Sequence, residues 1–121
     1  MSVILNINNS IANQEQTFQI EGIVFIINTY WNVRSGWYVS ISKEDETPLI
    51  TGLKVMPDAN ITWRYSRVDG LFTGDLWVID TEAQNKDKTI TRESFGQNQR
   101  FQLIYISEDE QNTLGINPRE I

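Results

Sequence analysis

The chain contains no cysteine and no histidine. Without thiols there is neither a disulfide framework nor a thiolate metal site. Without imidazole, the common zinc sites, histidine acid/base catalysis, and Ser-His-Asp or Cys-His nucleophile activation all fall together. Basic residues are also few: ten Lys and Arg stand against sixteen Asp and Glu, for a net charge of −6 at pH 7. A phosphate backbone or an anionic membrane surface repels such a chain as a whole, so neither nucleic acid nor membrane is expected as a partner. No stretch approaches the roughly eighteen apolar residues of a membrane span. The first six residues, Met1 to Asn6, lack the basic region and sustained apolar run of a secretory signal, and the expectation is a soluble chain made in the cytoplasm.

What is present reads as β-structure. The 121 residues are 40% hydrophobic, with four Trp, four Tyr and five Phe, enough for the core of one domain. In residues 23–42 two stretches rich in β-branched and aromatic side chains flank Asn32, Ser35 and Gly36, which supply the turn of a long hairpin. On its return strand Trp37, Val39 and Ile41 face one way and Tyr38, Ser40 and Ser42 the other. Every side chain in residues 23–27 is apolar, which predicts cover on both faces there. Glu21 and Gly22 signal a tight turn before this strand, and Gly52 marks a bulge or close backbone approach. Residues 76–79 form a short buried strand, and Phe101, Leu103 and Tyr105 alternate with Gln102. The predicted core is Trp31, Trp37, Val39, Ile41, Leu76, Val78, Phe101 and Leu103. Seven or eight short strands with frequent turns predict an all-β fold, a small antiparallel β-sandwich or barrel with N- and C-terminal extensions.

The chain divides into an N-terminal strand or arm at residues 1–15, a β-domain at 16–107 and a C-terminal tail at 108–121. Val3, Leu5 and Ile7 punctuate one end, and Leu114, Ile116 and Ile121 the other. A free tail has little reason to keep such residues, so they are expected to order on a partner by strand addition or by filling small pockets. Residues 57–74 carry the weakest pattern, with a short strand expected at 61–65, and form the longest candidate functional loop. There Arg64, Tyr65 and Arg67 interleave cation and aromatic as in some single-strand binders, although acidic neighbouring loops favour a salt-bridged strand face. The expected partner contacts are Val3, Leu5, Ile7, Trp63, Arg64, Tyr65, Leu114 and Ile116.

Paired carboxylates are the remaining catalytic option, since two acids alone can hydrolyse glycosides. Asp75, Asp80 and Glu82 are the candidates, but an Asp that closes a buried strand is ordinarily a turn or cap residue. The acidic runs lack the ligand spacing of a calcium loop, and no Gly-Lys-Ser/Thr follows Gly70 or Gly74 to make a phosphate loop. The expectation is a protein without cofactor, metal or enzymatic activity. A Trp-rich β-sandwich also suits a carbohydrate-binding module, for which Trp63 is the candidate exposed aromatic.

An ordered set of segments narrows these readings. Trp31, Asn32, Arg34, Gly36, Trp37 and Tyr38 are followed by Pro48, Leu49, Gly52 and Pro57, then by Leu76, Val78 and Asp80, and finally by Arg100, Leu103 and Tyr105. In that order and spacing, over residues 16–106, the chain resembles the baseplate plug proteins of contractile-tailed bacteriophages. It departs from their pattern where Gly36 and Trp37 are adjacent, and at residues 58–65, which replace a Pro/Gly-rich stretch. The resemblance implies a non-enzymatic structural virion protein, made in the host cytoplasm, that plugs or seals the central hub of a tail baseplate. Its implied partners are other baseplate, hub, tube or spike proteins, met in several copies in a three-fold or six-fold assembly.

Overall fold

A computed structural model describes residues 2–8, 12–65, 70–82, 84–96 and 98–116. Strands β1 (Ser2–Ile4), β2 (Asn13–Ile20), β3 (Ile23–Asn32), β4 (Gly36–Lys43) and β5 (Pro48–Lys54) come first. After them follow β6 (Ala59–Asn60), a 3-10 turn (Trp63–Tyr65), β7 (Asp75–Asp80), β8 (Phe101–Ile106) and helix α1 (Glu108–Leu114). The strands make two antiparallel four-stranded sheets, ordered β2-β3-β4-β5 and β1-β8-β7-β6, and the fold is an all-β sandwich.

Local chemistry lays down the first sheet. β2 and β3 pair from Asn13 opposite Tyr30 to Ile20 opposite Ile23. Their turn closes because Glu21 and Gly22 both take left-handed conformations, φ 56° and 77°, as a two-residue hairpin requires. The β3–β4 turn is held by Asn32, whose side-chain oxygen accepts from the Arg34 amide at 2.9 Å. Between β4 and β5 the register shifts after Val39. There the Gly52 amide donates to Ser40 Oγ at 3.0 Å, and the bulge forms at this glycine.

Phe25, Ile27, Trp37, Val39 and Ile41 of the first sheet meet Leu76, Val78, Phe101, Leu103 and Tyr105 of the second in one buried cluster, with Trp31 packed half-buried against it. Phe72, from the segment before β7, bridges the sheets edge-on to both Phe25 and Tyr105, with ring centroids 5.4 and 5.5 Å away.

Three expectations need correction. Residues 23–27 are not covered equally on both faces: Phe25 and Ile27 are fully buried on the inner face, whereas Val24 and Ile26 on the outer face are only half-buried, and Ile23, at the start of the strand, is 51% exposed. Residues 61–65 are not a strand. Asn60 ends β6 by accepting from the amides of Thr62 and Trp63 at 3.1 and 3.0 Å, which diverts the chain into the 3-10 turn.

The third concerns the tail at 108–121, whose residues 108–114 are α1. Ser107 caps the helix by accepting from Glu110 N, three acids occupy the first turn, and Gly115 closes it in a left-handed conformation. Ser107 with Glu110 is the capping signal that the sequence carried. It is easily passed over because the residue the helix buries is polar Gln111.

Candidate partner-binding surfaces

The N-terminal residues expected to reach a partner divide. Leu5 and Ile7 are buried in the chain's own core, which withdraws them as contacts for anything else. They are anchored there by Leu5 N donating to Leu103 O at 2.9 Å, by Gln16 Nε2 donating to Asn6 O at 2.9 Å and by Gln14 Nε2 donating to Asn8 O. The chain stays against β8 as far as Leu5 and then meets the β2 edge through Gln14 and Gln16, and along it Leu5 and Ile7 alternate inward against exposed Asn6 and Asn8. Val3 and Ile4 stay exposed on β1. At the other end Leu114 is exposed and Ile116 half-buried, its amide donating to Gln111 O at 3.0 Å. Arg67 and Ile121 lie outside the described residues.

The 3-10 turn presents Trp63, 41% exposed, with the Arg64 guanidinium 5.5 Å over its own ring. Tyr65 closes the same turn. Beside it runs a shallow groove of about 520 Å³, walled on one side by Gly52, Leu53 and Lys54 of β5 and on the other by Ala59, Asn60, Ile61, Trp63 and Arg64, with Met56 and Pro57 between. The structure thus brings Trp63 and Arg64 together with Met56 and Lys54, which the sequence reading had not joined to them. It keeps the groove apart from Val3 and Leu114.

Two of the three candidate carboxylates, Asp75 and Asp80, are locked into the fold, while Glu82 lies exposed. Asp80 accepts from Arg100 Nε at 2.9 Å, Arg100 Nη2 at 3.0 Å, Lys88 Nζ at 2.6 Å and Glu82 N at 2.8 Å. The Arg100 hydrogen bonds, with those of Lys88 and Glu82, hold its carboxyl far below the usual range against the opposing effect of burial. Asp75 accepts from the Thr62 hydroxyl at 2.8 Å and from Gln111 Nε2 at 3.1 Å, and Gln111 Oε1 in turn accepts from Trp77 Nε1 at 3.3 Å. This buried set ties the 3-10 turn, β7 and α1 together. Both acids are strand-end residues that join distant segments.

Sequence reasoning missed Glu21. From the β2–β3 turn its carboxylate accepts from Thr73 N at 2.9 Å, Thr73 Oγ1 at 3.0 Å, Gly74 N at 3.0 Å and the Tyr105 hydroxyl, clasping one sheet to the other. Burial pushes the Glu21 carboxyl up, but those hydrogen bonds together outweigh it and leave it below its ordinary value. Burial, then Glu21, pushes the Tyr105 phenol well above its own. No local signal marks such a clasp, since the partners are 52 to 84 residues away.

Among the described residues no group of His, Cys, Asp and Glu is placed to hold a metal ion, and no helix is long and apolar enough to cross a membrane. No curated protein matches the chain. One family model does, over residues 1–109. That range begins before β1 and ends inside α1, so it takes in both sheets and the N-terminal strand that the sequence resemblance had left outside. The chain belongs to the baseplate plug family, whose model is described as the cyanophage baseplate Pam3 plug gp18.

Proposed function

We propose that this protein is a non-enzymatic plug of a contractile-tail baseplate, seated at the central hub near tube and spike, where several copies close the channel around a three-fold or six-fold axis. Family membership carries a structural role in the phage baseplate, association with other baseplate proteins and a place in the virion tail. The seat at the hub, the sealing and the symmetry are the proposal. The observation that supports it is the match over residues 1–109, which spans the whole sandwich. The fold is consistent with a passive part: Asp80 is held ionised by two cations, the opposite of the raised carboxyl that a general acid needs. Cryo-electron microscopy of purified tails tests the reading, with density for the sandwich expected on the tail axis at the hub in three or six copies. Density at the baseplate periphery, or tails assembled and sealed without the chain, would overturn it.

The carbohydrate-binding alternative draws on the exposure of Trp63. It is weakened because Arg64 covers that ring, and because Tyr30 and Tyr38 on the outer sheet face stack on each other, centroids 5.5 Å apart at 14°, instead of presenting their faces side by side. Glycan binding that is lost on Trp63→Ala would revive it.

A further inference from the structure

The groove beside Trp63 lies between two open sheet edges. β5 ends one sheet and β6 ends the other, and the short link through Met56 and Pro57 brings them to the same side. Val55 N donates to Trp37 O at 3.0 Å, and Leu53 pairs with Val39. The alternation of an antiparallel ladder therefore turns the Lys54 backbone N–H and C=O to the open edge. Likewise Ile61 N donates to Leu76 O at 2.9 Å, and Ala59 pairs with Val78, which turns the Asn60 backbone outward. The Asn60 side chain is held in place. Its Oδ1 accepts from Thr62 N and Trp63 N, which fixes the amide orientation, and its Nδ2 is buried without an acceptor.

A lysine on an edge strand is by itself an ordinary guard against strand addition. Here it stands beside two exposed apolar side chains, Met56, 47% exposed, and Trp63, neither of which guards anything. The charge is also local: Lys54 and Arg64 both line the groove, and among the described residues no acid does, although the chain carries a net charge of −6.

We propose that this groove is the docking site for an extended acidic segment of a neighbouring baseplate protein. The segment lies along the β5 edge by strand addition, places an apolar side chain against Met56 and Trp63, and sets its carboxylates on Lys54 and Arg64. The inference rests on the baseplate reading and adds to it the face that is used and the chemistry it meets.

The test uses full-length chain in assembled tails. With p-benzoylphenylalanine in place of Met56 or Trp63, irradiation should join the chain to an acidic stretch of one virion protein, read by mass spectrometry of the cross-linked peptide. Lys54→Glu with Arg64→Glu should leave the melting temperature unchanged and lower incorporation about tenfold or more, because like charges then face each other. Lys86→Glu, on an exposed loop, is the control and should incorporate normally. Normal incorporation of the double variant, or cross-links only to a second copy of this chain, to a basic or neutral segment, or to glycan, would overturn the docking proposal while leaving the plug reading intact. Absence of even the wild-type chain from the tails would instead defeat the plug reading itself.

Discussion

Removing the Trp37 side chain should be among the most damaging single changes in the sandwich. The indole is 1% exposed, lies 5.6 Å from the Trp31 ring and 5.7 Å from Phe95, and its Nε1 donates to Arg92 O at 3.2 Å. A buried Trp→Ala change costs about 3–5 kcal/mol through lost burial and the cavity left behind. Each aromatic pair contributes about 0.5–1.5 kcal/mol beyond its area, which places Trp37→Ala toward the upper end. Domains of this size are stable by only about 5–15 kcal/mol, so the variant should lie near the folding threshold. Trp37→Phe keeps most of the burial but loses the donor to Arg92, at a cost of about 1–2 kcal/mol. Urea unfolding followed by circular dichroism measures both, through the midpoint at an unchanged slope. A loss below about 1 kcal/mol for Trp37→Ala would refute the reasoning, because no relaxation of close-packed rings fills an indole-sized void so cheaply.

Gly74→Ala should destabilise by about 1–3 kcal/mol, because a Cβ there would sit 2.4 Å from Ile106 O and 2.6 Å from the Tyr105 hydroxyl; a thermal melt unchanged from wild type would deny the close approach. Gln111→Ala should cost about 1–3 kcal/mol by taking one donor from Asp75 and the acceptor from Trp77, and faster amide exchange in α1 should report it. The lowered carboxyls of Asp80 and Glu21 contribute stability that is fully present above their unfolded values near 4 and is lost as pH falls toward their folded ones, so an acid limb should open below about pH 5. It should shrink in Asp80→Asn, itself a weaker fold. Tyr105 has the opposite sign: its raised phenol contributes stability below about pH 10 that is lost as pH climbs through the folded value. Tyr105→Phe should flatten that alkaline limb, and an unaltered limb would show that the hydroxyl is not held as described.

The sequence by itself determined the central hairpin of β3 and β4, its neighbouring turns and the buried strands β7 and β8, but not the short β6. β-Branched and aromatic residues at period two, with Gly22, Gly36 and Gly52 where the backbone needs positive φ, gave the hairpins and the bulge because those preferences act between neighbours in the chain. The inward set of Trp37, Val39 and Ile41 was legible for the same reason. Only the tertiary structure decided which face of residues 23–27 met water, since alternation says that two faces differ but not what covers them. It also decided that Leu5 and Ile7 belong to the core, which depends on Leu103 lying beside them, and that Trp63 shares a groove with Met56 and Lys54, which depends on two sheet edges ending on the same side. The polar locks were the least legible. Glu21 meets Tyr105 across 84 residues and Gln111 meets Asp75 across 36, and a buried polar side chain leaves no local signature, because what makes its burial tolerable is a partner supplied by another part of the fold.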